Sequence, residues 1–201
     1  MTLDPSRTAV LALHWQVNVI EADGFFGGML AAPVAASGVV GRAAAFHDAV
    51  GRLGVPVFFT RFTIPDDEGQ LVRNTGFMHA VAGAQESFRP EAPGAALIDA
   101  MTVGDRDMVV DNQRLSGLAA SPLPDELAER GIDTLLVTGV ATNLTVEQTA
   151  RHGTDLGFTV HVISDCVTSA DETSHRASLA NLELATAGCL VADQVLAQLS
   201  G

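Results

Sequence analysis

The 201-residue chain contains no lysine, because all 11 of its basic residues are arginines. Schiff-base chemistry, a P-loop and a lysine general base are therefore excluded, whatever the fold. Basic residues are also few against 24 acidic ones, and the formal net charge is −13. Since phosphate binding needs clustered cations, this charge disfavours nucleic acids and anionic membranes as partners.

Cysteines and long apolar runs are scarce as well. The chain has two cysteines, Cys166 and Cys189, without CxxC spacing. This pattern favours neither a disulfide framework nor a zinc site, and we interpret both residues as packing residues. No apolar run reaches the roughly 18 residues of a membrane span, and the N-terminal residues lack the pattern of a signal peptide. We therefore expect a cytoplasmic protein.

Hydrophobic residues, in contrast, make up 47% of the chain, which is typical of a globular protein. Several short runs are rich in Val, Leu, Ile and Phe and do not alternate with polar residues. Such runs are typical of strands that are covered on both faces of a parallel sheet. They predict strands at 8–14, 55–61, 106–111, 133–140, 158–165 and, from a shorter run, 188–192.

Segments with helical spacing of apolar residues separate these strands. The predicted helices cover 31–54, 122–132, 143–157 and 171–188, with Asn143 and Asp171 as caps of the last two. The alternation predicts one three-layer α/β domain over residues 1–201, with a mainly parallel six-stranded sheet and helices on both faces. The segment 63–94 has no predicted element, so we expect a lid or a partner-contacting loop there.

Ligands of open α/β sheets bind beyond the carboxyl ends of the strands. Of the side chains that follow the predicted strands, His14, Asn112 and Thr145 are expected to converge on one crevice. The residues at this edge are His14, Trp15, Gln16, Arg61, Asn112, Gln113, Arg114, Val140, Ala141, Thr142, Asn143, Thr145 and Asp165.

The chain resembles the isochorismatase-like, or cysteine hydrolase, superfamily over nearly its whole length. The similarity is carried by "TAVLALHWQ", "PVFFTR", "DMVVDNQRLSGL" and above all by the run from Gly131 to Asp171, which begins "GIDTLLVTGVATNLTVEQTA". The resemblance implies a parallel sheet flanked by helices and a homodimer or homotetramer. It also implies a small-molecule substrate, either an amide such as nicotinamide or the vinyl ether of isochorismate.

Hydrolases of that superfamily use an Asp after strand one, a Lys after strand three and a nucleophilic Cys at the head of the helix after strand four. Here His14, Asn112 and Thr145 stand at these three positions. The family mechanism cannot operate with these side chains. They nevertheless include the chemical types of a base, an orienting group and a nucleophile. A protonated His14 is an alternative acid for an enol ether.

The resemblance also points to residues that surround the substrate. A cis peptide is expected after Val140, and backbone N–H groups near Ala141 and Thr145 are candidates for an oxyanion hole. The two arginines at the strand ends are candidate anchors for a carboxylate. The candidate substrate-binding residues are Trp15, Gln16, Arg61, Arg114, Val140 and Ala141. Further candidates from the segment 63–94 are His79, Gln85 and Arg89.

No metal and no organic cofactor is expected. Metal-dependent nicotinamidases of the superfamily carry an Asp-x-His element after strand two, where this chain reads "TRFTIPDD" without a histidine. The remaining histidines show no ligand spacing. They are His47, His152, His161 and His175.

Two functions stay open at this point. The first is a hydrolase with a replaced triad that acts on a small carbonyl- or enol-ether-bearing metabolite. The second is a non-catalytic relative that kept the pocket, or the surface for oligomerisation. Structural roles compete with catalysis at each position: His14 as a buried, hydrogen-bonded histidine, Thr145 as a capping or packing residue, and Asn112 as a turn residue.

Overall fold

The computed structural model describes residues 2–201. Within them, six strands form one parallel sheet in the order β3-β2-β1-β4-β5-β6. This confirms the predicted fold class. The strands are β1 (Thr8–Leu13), β2 (Val57–Phe62), β3 (Met108–Asn112), β4 (Thr134–Val140), β5 (Thr159–Thr168) and β6 (Cys189–Leu190).

Helices cover both faces of the sheet and make three layers. Buried residues of α1, α2, α3 and α8 form the core on one face, and buried residues of α5, α6 and α7 form the core on the other. The helices are α1 (Val17–Ile20), α2 (Gly27–Ser37), α3 (Val39–Arg52), α4 (Gly76–Gly83), α5 (Leu123–Glu129), α6 (Glu147–Asp155), α7 (Glu172–Ala185) and α8 (Ala192–Leu199).

The central strand β1 shows why the strand sequences do not alternate. All six of its residues are fully buried. Val10 and Ala12 belong to one core, whereas Leu11 and Leu13 belong to the other. Because both faces of the strand are covered, every position favours an apolar side chain.

The predicted helix at 31–54 is two helices. Gly38 separates α2 from α3 with a φ of 65°, and a left-handed residue cannot continue a right-handed helix. No single helix in residues 2–201 is long and apolar enough to cross a membrane. The pair α2 and α3 meets this criterion only jointly, with a bend of 67° between the two helices.

One of the two predicted helix caps is confirmed. The Asp171 side chain accepts a hydrogen bond from the Ser174 amide (2.8 Å) at the start of α7. Asn143 does not cap α6, because the chain enters a π-helical turn, Thr142–Val146, before it. Its Oδ1 accepts a hydrogen bond from Ser169 Oγ (2.6 Å) instead.

The segment 63–94 is more ordered than predicted. It contains α4 and a 3₁₀ turn, Gln85–Phe88. Four of its buried residues pack with Phe62 in a small third core: Ile64, Met78, Val81 and Phe88. The segment is therefore a packed helical cover over the end of β2.

Candidate active site

The sheet brings the ends of β1, β2 and β3 together at one edge. His14 follows β1 directly, and its amide donates a hydrogen bond to Thr60 O in β2 (3.1 Å). Asn112 is the last residue of β3. Its register partner in β2 is Phe62, which in turn is in edge-to-face contact with the His14 ring at 6.4 Å between centroids. This edge therefore places His14 and Asn112 side by side.

The His14 and Asn112 side chains are in contact, with 3.3 Å between His14 Nε2 and Asn112 Oδ1. The Asn112 amide nitrogen donates to Arg114 O (2.8 Å) and Ser116 O (3.2 Å). With both amide hydrogens used, Oδ1 is the group that faces the imidazole and acts as acceptor. Nε2 must then carry the ring hydrogen, and Nδ1 of the neutral ring is the basic nitrogen.

Burial keeps this imidazole neutral. Loss of solvation lowers the pKa of His14 to about 4, although the hydrogen bond with Asn112 acts in the opposite direction. Nδ1 has no hydrogen-bond partner within residues 2–201. The unpaired side-chain atoms that solvent does not reach are His47 Nδ1 and Thr60 Oγ1. Because His14 Nδ1 is not one of them, it is open to solvent. An accessible lone pair on His14 is therefore available near neutral pH.

Thr145 lies in the π-helical turn that precedes α6. Its side chain is buried, and Oγ1 donates a hydrogen bond to Leu115 O (2.7 Å). No hydrogen bond joins Thr145 to His14 or Asn112 within the described residues. The hydroxyl hydrogen is thus held by a backbone carbonyl, whereas activation of a threonine nucleophile needs an adjacent base.

Two side chains of α6, the helix that continues from this turn, hold the loop 113–117 that follows β3. Thr149 Oγ1 accepts a hydrogen bond from the Gly117 amide (3.0 Å), and His152 Nδ1 lies 2.9 Å from Ser116 Oγ. Together with Thr145 they contact three consecutive loop residues, Leu115, Ser116 and Gly117. The carbonyl of Ser116 in turn accepts from Asn112, so the loop connects the helix to the partner of His14.

A cavity lies beside these side chains and has two lobes that share five lining residues. The first, which we call the reactive lobe, has a cavity volume of about 40 Å³ and opens to solvent. It is lined by His14, Val19, Phe26, Met29, Leu30, Phe77, Leu115, Val140, Ala141, Leu144 and Thr145. The second, the aromatic lobe, has a similar volume and is lined by His14, Val19, Phe26, Phe62, Phe77, Val81, Phe88 and Leu115.

The strand–helix junction after β4 supplies backbone groups to the reactive lobe. The peptide bond between Val140 and Ala141 is cis, as the resemblance implies. The Ala141 carbonyl accepts from the amides of Leu144 and Val146, which turns the chain into the helix. Among residues 2–201 no acceptor takes a hydrogen bond from the Ala141 amide. That N–H group is a candidate donor to a substrate oxygen.

Trp15 and Gln16 lie inside the fold and do not line the cavity. The Trp15 indole is fully buried, with Nε1 3.4 Å from Thr138 Oγ1. The Gln16 amide donates to Phe62 O and Ala95 O and accepts from the Phe62 N–H. The structure thus places both predicted pocket residues where they join secondary-structure elements.

The two arginines proposed as carboxylate anchors also lie outside both lobes. Arg61 makes a two-point ion pair with Asp111, at 2.8 and 3.0 Å. Arg114 donates to the carbonyls of Gln70 and Gln113 and lines a neighbouring surface groove. Neither lobe is lined by a carboxylate, a guanidinium group or another ionised side chain.

The cover segment contributes different residues from those proposed. His79 is exposed, Gln85 donates to Pro65 O, and Arg89 is paired with Glu86 and Asp66. The residues that line the cavity are instead apolar ones that sequence reasoning overlooked. The i, i+4 spacing of Phe77 and Val81, and the apolar run 25–30, are the signals that could have identified them. The overlooked lining residues are Phe26, Met29, Leu30, Phe77, Val81 and Phe88.

The donor set at this edge does not fit a metal. β2 ends at Phe62 and is followed by Thr63 and Ile64, none of which is a metal ligand of the expected type. Residues 2–201 contain no group of three or more His, Cys, Asp or Glu side chains that could hold an ion. Both cysteines are free thiols outside the cavity, and burial raises the pKa of Cys166 to about 12. An ionised thiol is thus not available to the site.

The isochorismatase domain model matches residues 8–194. Among curated proteins, a ureidoacrylate amidohydrolase RutB of Methylobacterium radiotolerans is 43% identical over 89 residues, which cover 44% of this chain and 34% of that protein. The uncharacterized isochorismatase family protein YecD of Escherichia coli O157:H7 is 26% identical over 89% of both chains. The chain therefore spans about a third of the RutB relative and most of the YecD relative.

A solved structure has the same fold. It is a cysteine hydrolase from Pseudomonas syringae pv. phaseolicola 1448A, with a TM-score of 0.86 over 100% of this chain and 95% of the other. The two sequences are 22% identical, so this likeness concerns the fold alone.

Proposed function

Because the chain belongs to the isochorismatase family of hydrolases, we propose that it hydrolyses a small, uncharged amide or ester in the cavity beside His14. The observation that carries this proposal is the hydrogen bond between His14 and Asn112, which leaves an accessible basic nitrogen on a neutral imidazole. The partial similarity to ureidoacrylate amidohydrolases supports an amide as the scissile group.

In the proposed reaction His14 is a general base. Nδ1 takes a proton from a water molecule while the water oxygen forms a bond to the carbonyl carbon, and the carbonyl electrons move onto its oxygen. The Ala141 amide donates a hydrogen bond to that oxyanion in this reaction. When the carbonyl re-forms, the bond to nitrogen or oxygen breaks, and His14 returns the proton to the leaving amine or alcohol.

Thr145 serves this reaction as a water-positioning group. Its hydrogen is donated to Leu115 O, so Oγ1 offers its lone pairs to the cavity and can accept a hydrogen bond from the attacking water. Asn112 has the role of an orienting group, because its fixed amide selects the tautomer of His14. The sequence left more than one role open for each of these residues. In this proposal His14 is the base, Thr145 positions the water and Asn112 orients the base.

An enol ether such as isochorismate is less favoured by the site. Its cleavage begins with protonation, and a histidine whose pKa is about 4 is rarely protonated near neutral pH. A substrate with carboxylates also needs cations, and none lines the cavity. An uncharged carbonyl compound avoids both difficulties.

The proposal is tested by a hydrolysis screen of uncharged amides and esters with the wild type, His14→Gln and Thr145→Val. We expect His14→Gln to lower kcat/KM by about 10²–10⁴, the usual contribution of a general base. Thr145→Val, which keeps the side-chain shape, is expected to cost less than about tenfold. A larger loss in Thr145→Val than in His14→Gln contradicts the base assignment and points to a threonine nucleophile.

The second candidate is a binding protein without catalysis. It is favoured by the fact that Thr145 donates to a carbonyl and has no base beside it. In that case amides bind, with equal affinity to the wild type and to His14→Gln, but no member of the panel is turned over. Calorimetric binding measurements on the same panel separate the two functions.

A further inference from the structure

A surface groove lies beside the cavity, and Leu115 lines the groove as well as both lobes. The groove is formed by residues of the segment 72–78 and of the loop 113–119, with Gln148 of α6 at its side. Its cavity volume is about 400 Å³, against about 40 Å³ for the reactive lobe. Sites for small molecules typically have volumes of about 300–1,000 Å³. The groove therefore has room for a ligand of its own.

The lining of this groove contains one ionised side chain, Arg114. No Asp or Glu is among the described residues that line it, although the chain has 24 acidic residues and a formal net charge of −13. The other polar side chains of the lining are uncharged: Asn74, Thr75, Gln113, Ser116 and Gln148. The groove is thus a locally positive part of an acidic protein, and its charge favours an anion.

Arg114 differs from the other arginines that lie partly inside the fold. The half-buried arginines among residues 2–201 are Arg61, Arg89 and Arg114. The first two are paired with carboxylates. Arg114 donates only through Nη1, to the carbonyls of Gln70 and Gln113. A half-buried guanidinium group without a carboxylate partner gains a charge-assisted pair when an anion binds to it.

The unpaired nitrogens of Arg114 have the geometry that carboxylates need. Nε and Nη2 donate to no acceptor within residues 2–201. These two nitrogens lie on one edge of the planar guanidinium group, and their parallel N–H bonds match the two oxygens of a carboxylate. The side-chain amides of Asn74 and Gln148 line the same groove and are further donors for the anion.

The remaining side chains of the lining are apolar. They are Val72, Met78, Leu115 and Ala119. These side chains suit an alkyl group, whereas a second charge on the ligand finds no partner. An ammonium group in particular would lose hydration without meeting a carboxylate. The lining therefore distinguishes a simple carboxylic acid from an amino acid.

We propose that this groove binds a small monocarboxylate with an uncharged, apolar body, outside the cavity in which hydrolysis is proposed. Nε and Nη2 of Arg114 hold the carboxylate, and the alkyl body lies against Met78, Leu115 and Ala119. The site is independent of the proposed function, because it needs neither His14 nor turnover of a substrate.

The ligand class is tested by calorimetric or NMR titration of the wild-type protein with isocaproate, isocaproamide, free leucine and acetate. Leucine is isocaproate with an added ammonium group, the amide lacks the charge, and acetate lacks the alkyl body. We expect isocaproate to bind at least about tenfold more tightly than each of the other three probes. Equal affinities for isocaproate and isocaproamide, or no binding of isocaproate at millimolar concentration, overturn the proposal.

The position of the site is tested with Arg114→Gln, which should weaken isocaproate binding by at least about tenfold. Arg106→Gln is the matched control, because Arg106 precedes β3, lines no part of this groove and carries the same charge. Its affinity for isocaproate should be nearly that of the wild type. If Arg114→Gln does not fold, Gln148→Glu replaces it. Gln148 is exposed, and the new carboxylate should compete for Arg114 and weaken binding similarly.

Two outcomes contradict the assigned position. Equal weakening in Arg114→Gln and Arg106→Gln would show only an effect of overall charge. Loss of binding in His14→Gln with normal binding in Arg114→Gln would place the carboxylate in the cavity. Normal binding in His14→Gln together with weak binding in Arg114→Gln supports the groove, whether or not the hydrolysis screen finds a substrate.

Discussion

His14 combines three features at one residue. Its backbone is left-handed (φ 54°), which is uncommon for a residue with a side chain. Its ring is buried, with a pKa of about 4, and Nε2 contacts Asn112. Backbone conformations of this kind cost about 1–3 kcal/mol and concentrate at functional sites. The position after β1 is thus a site where the fold maintains an unfavourable conformation to present an imidazole.

The pH dependence of catalysis follows from the protonation of this ring. A base must be unprotonated, so kcat/KM is expected to be level near neutral pH and to fall as the pH falls through about 4. Asn112→Asp puts a carboxylate in contact with Nε2 and should raise this midpoint by about one to three pH units. The measurement is the pH profile of kcat/KM for both proteins.

Asn112→Leu is the control for that profile, because it removes the hydrogen bond without adding a charge. It should lower kcat/KM at every pH and should not move the midpoint upward. A midpoint that is the same in Asn112→Asp and in the wild type would mean that another group controls the profile.

At the scale of elements, one face of the helix after β4 holds the loop 113–117. The contacts come from Thr145, Thr149 and His152, at spacings of four and three residues, which place them on one helix face. The loop supplies two carbonyls that hold the Asn112 amide. The helical segment therefore holds the loop, and the loop in turn holds the Asn112 side chain that contacts the imidazole.

Thr149→Val tests this connection. The variant leaves the buried Gly117 amide without an acceptor, which is expected to cost about 1–3 kcal/mol of unfolding free energy. It should also lower kcat more than it changes KM, because the base is displaced and the lobes are not. Urea unfolding and steady-state kinetics measure the two effects.

Thr154→Val is the matched control, because Thr154 is on the same helix and donates only to Ala150 O within it. We expect a loss below about 0.5 kcal/mol and unchanged kcat. Equal effects of the two variants would show that the loop contact has no special role.

Some features of these elements can be predicted from the sequence, and others cannot. The strands were predictable because both faces of the sheet are covered and the apolar runs are continuous. The convergence of His14 and Asn112 followed from the rule for strand ends. The donation from Thr145 to Leu115 O was not predictable, because it depends on the path of a loop 30 residues away. Phe77 and Val81, which line the cavity from α4, are not predicted as lining residues because the segment 63–94 shows no helical pattern strong enough to predict a helix.

At the scale of the whole molecule, two buried histidines couple stability to pH. Burial lowers the pKa of His14 to about 4 and that of His47 to about 3, against about 6.5 in an unfolded chain. Below pH 6.5 the unfolded chain binds protons that the folded chain does not, so the free energy of unfolding decreases as the pH falls. The slope is about 1.4 kcal/mol per pH unit for each histidine.

Urea unfolding between pH 6.5 and 5 measures this coupling above the range where most carboxylates titrate. His47→Leu removes one of the two histidines, and the loss of stability over this range should be smaller than in the wild type by about 1–2 kcal/mol. An identical pH dependence in His47→Leu and in the wild type would contradict the contribution of a buried neutral imidazole at this position.

Domain organisation, assembly and location remain predictions at this scale. A single domain over residues 1–201, a homodimer or homotetramer and a cytoplasmic location are expected from the sequence and its resemblance. Light scattering on the purified chain measures the assembly directly. A monomer at micromolar concentration would contradict the expected oligomer without affecting the assignment of the site.

The proposed reaction depends most on the protonation state of His14, which is measurable without a substrate. Long-range ¹H–¹⁵N NMR spectra, with the His14 signals assigned by their absence in His14→Gln, report which ring nitrogen carries hydrogen. We predict a neutral ring at pH 7 with hydrogen on Nε2 and titration near pH 4. An imidazolium at pH 7, or a neutral ring with hydrogen on Nδ1, would contradict a general base at this position.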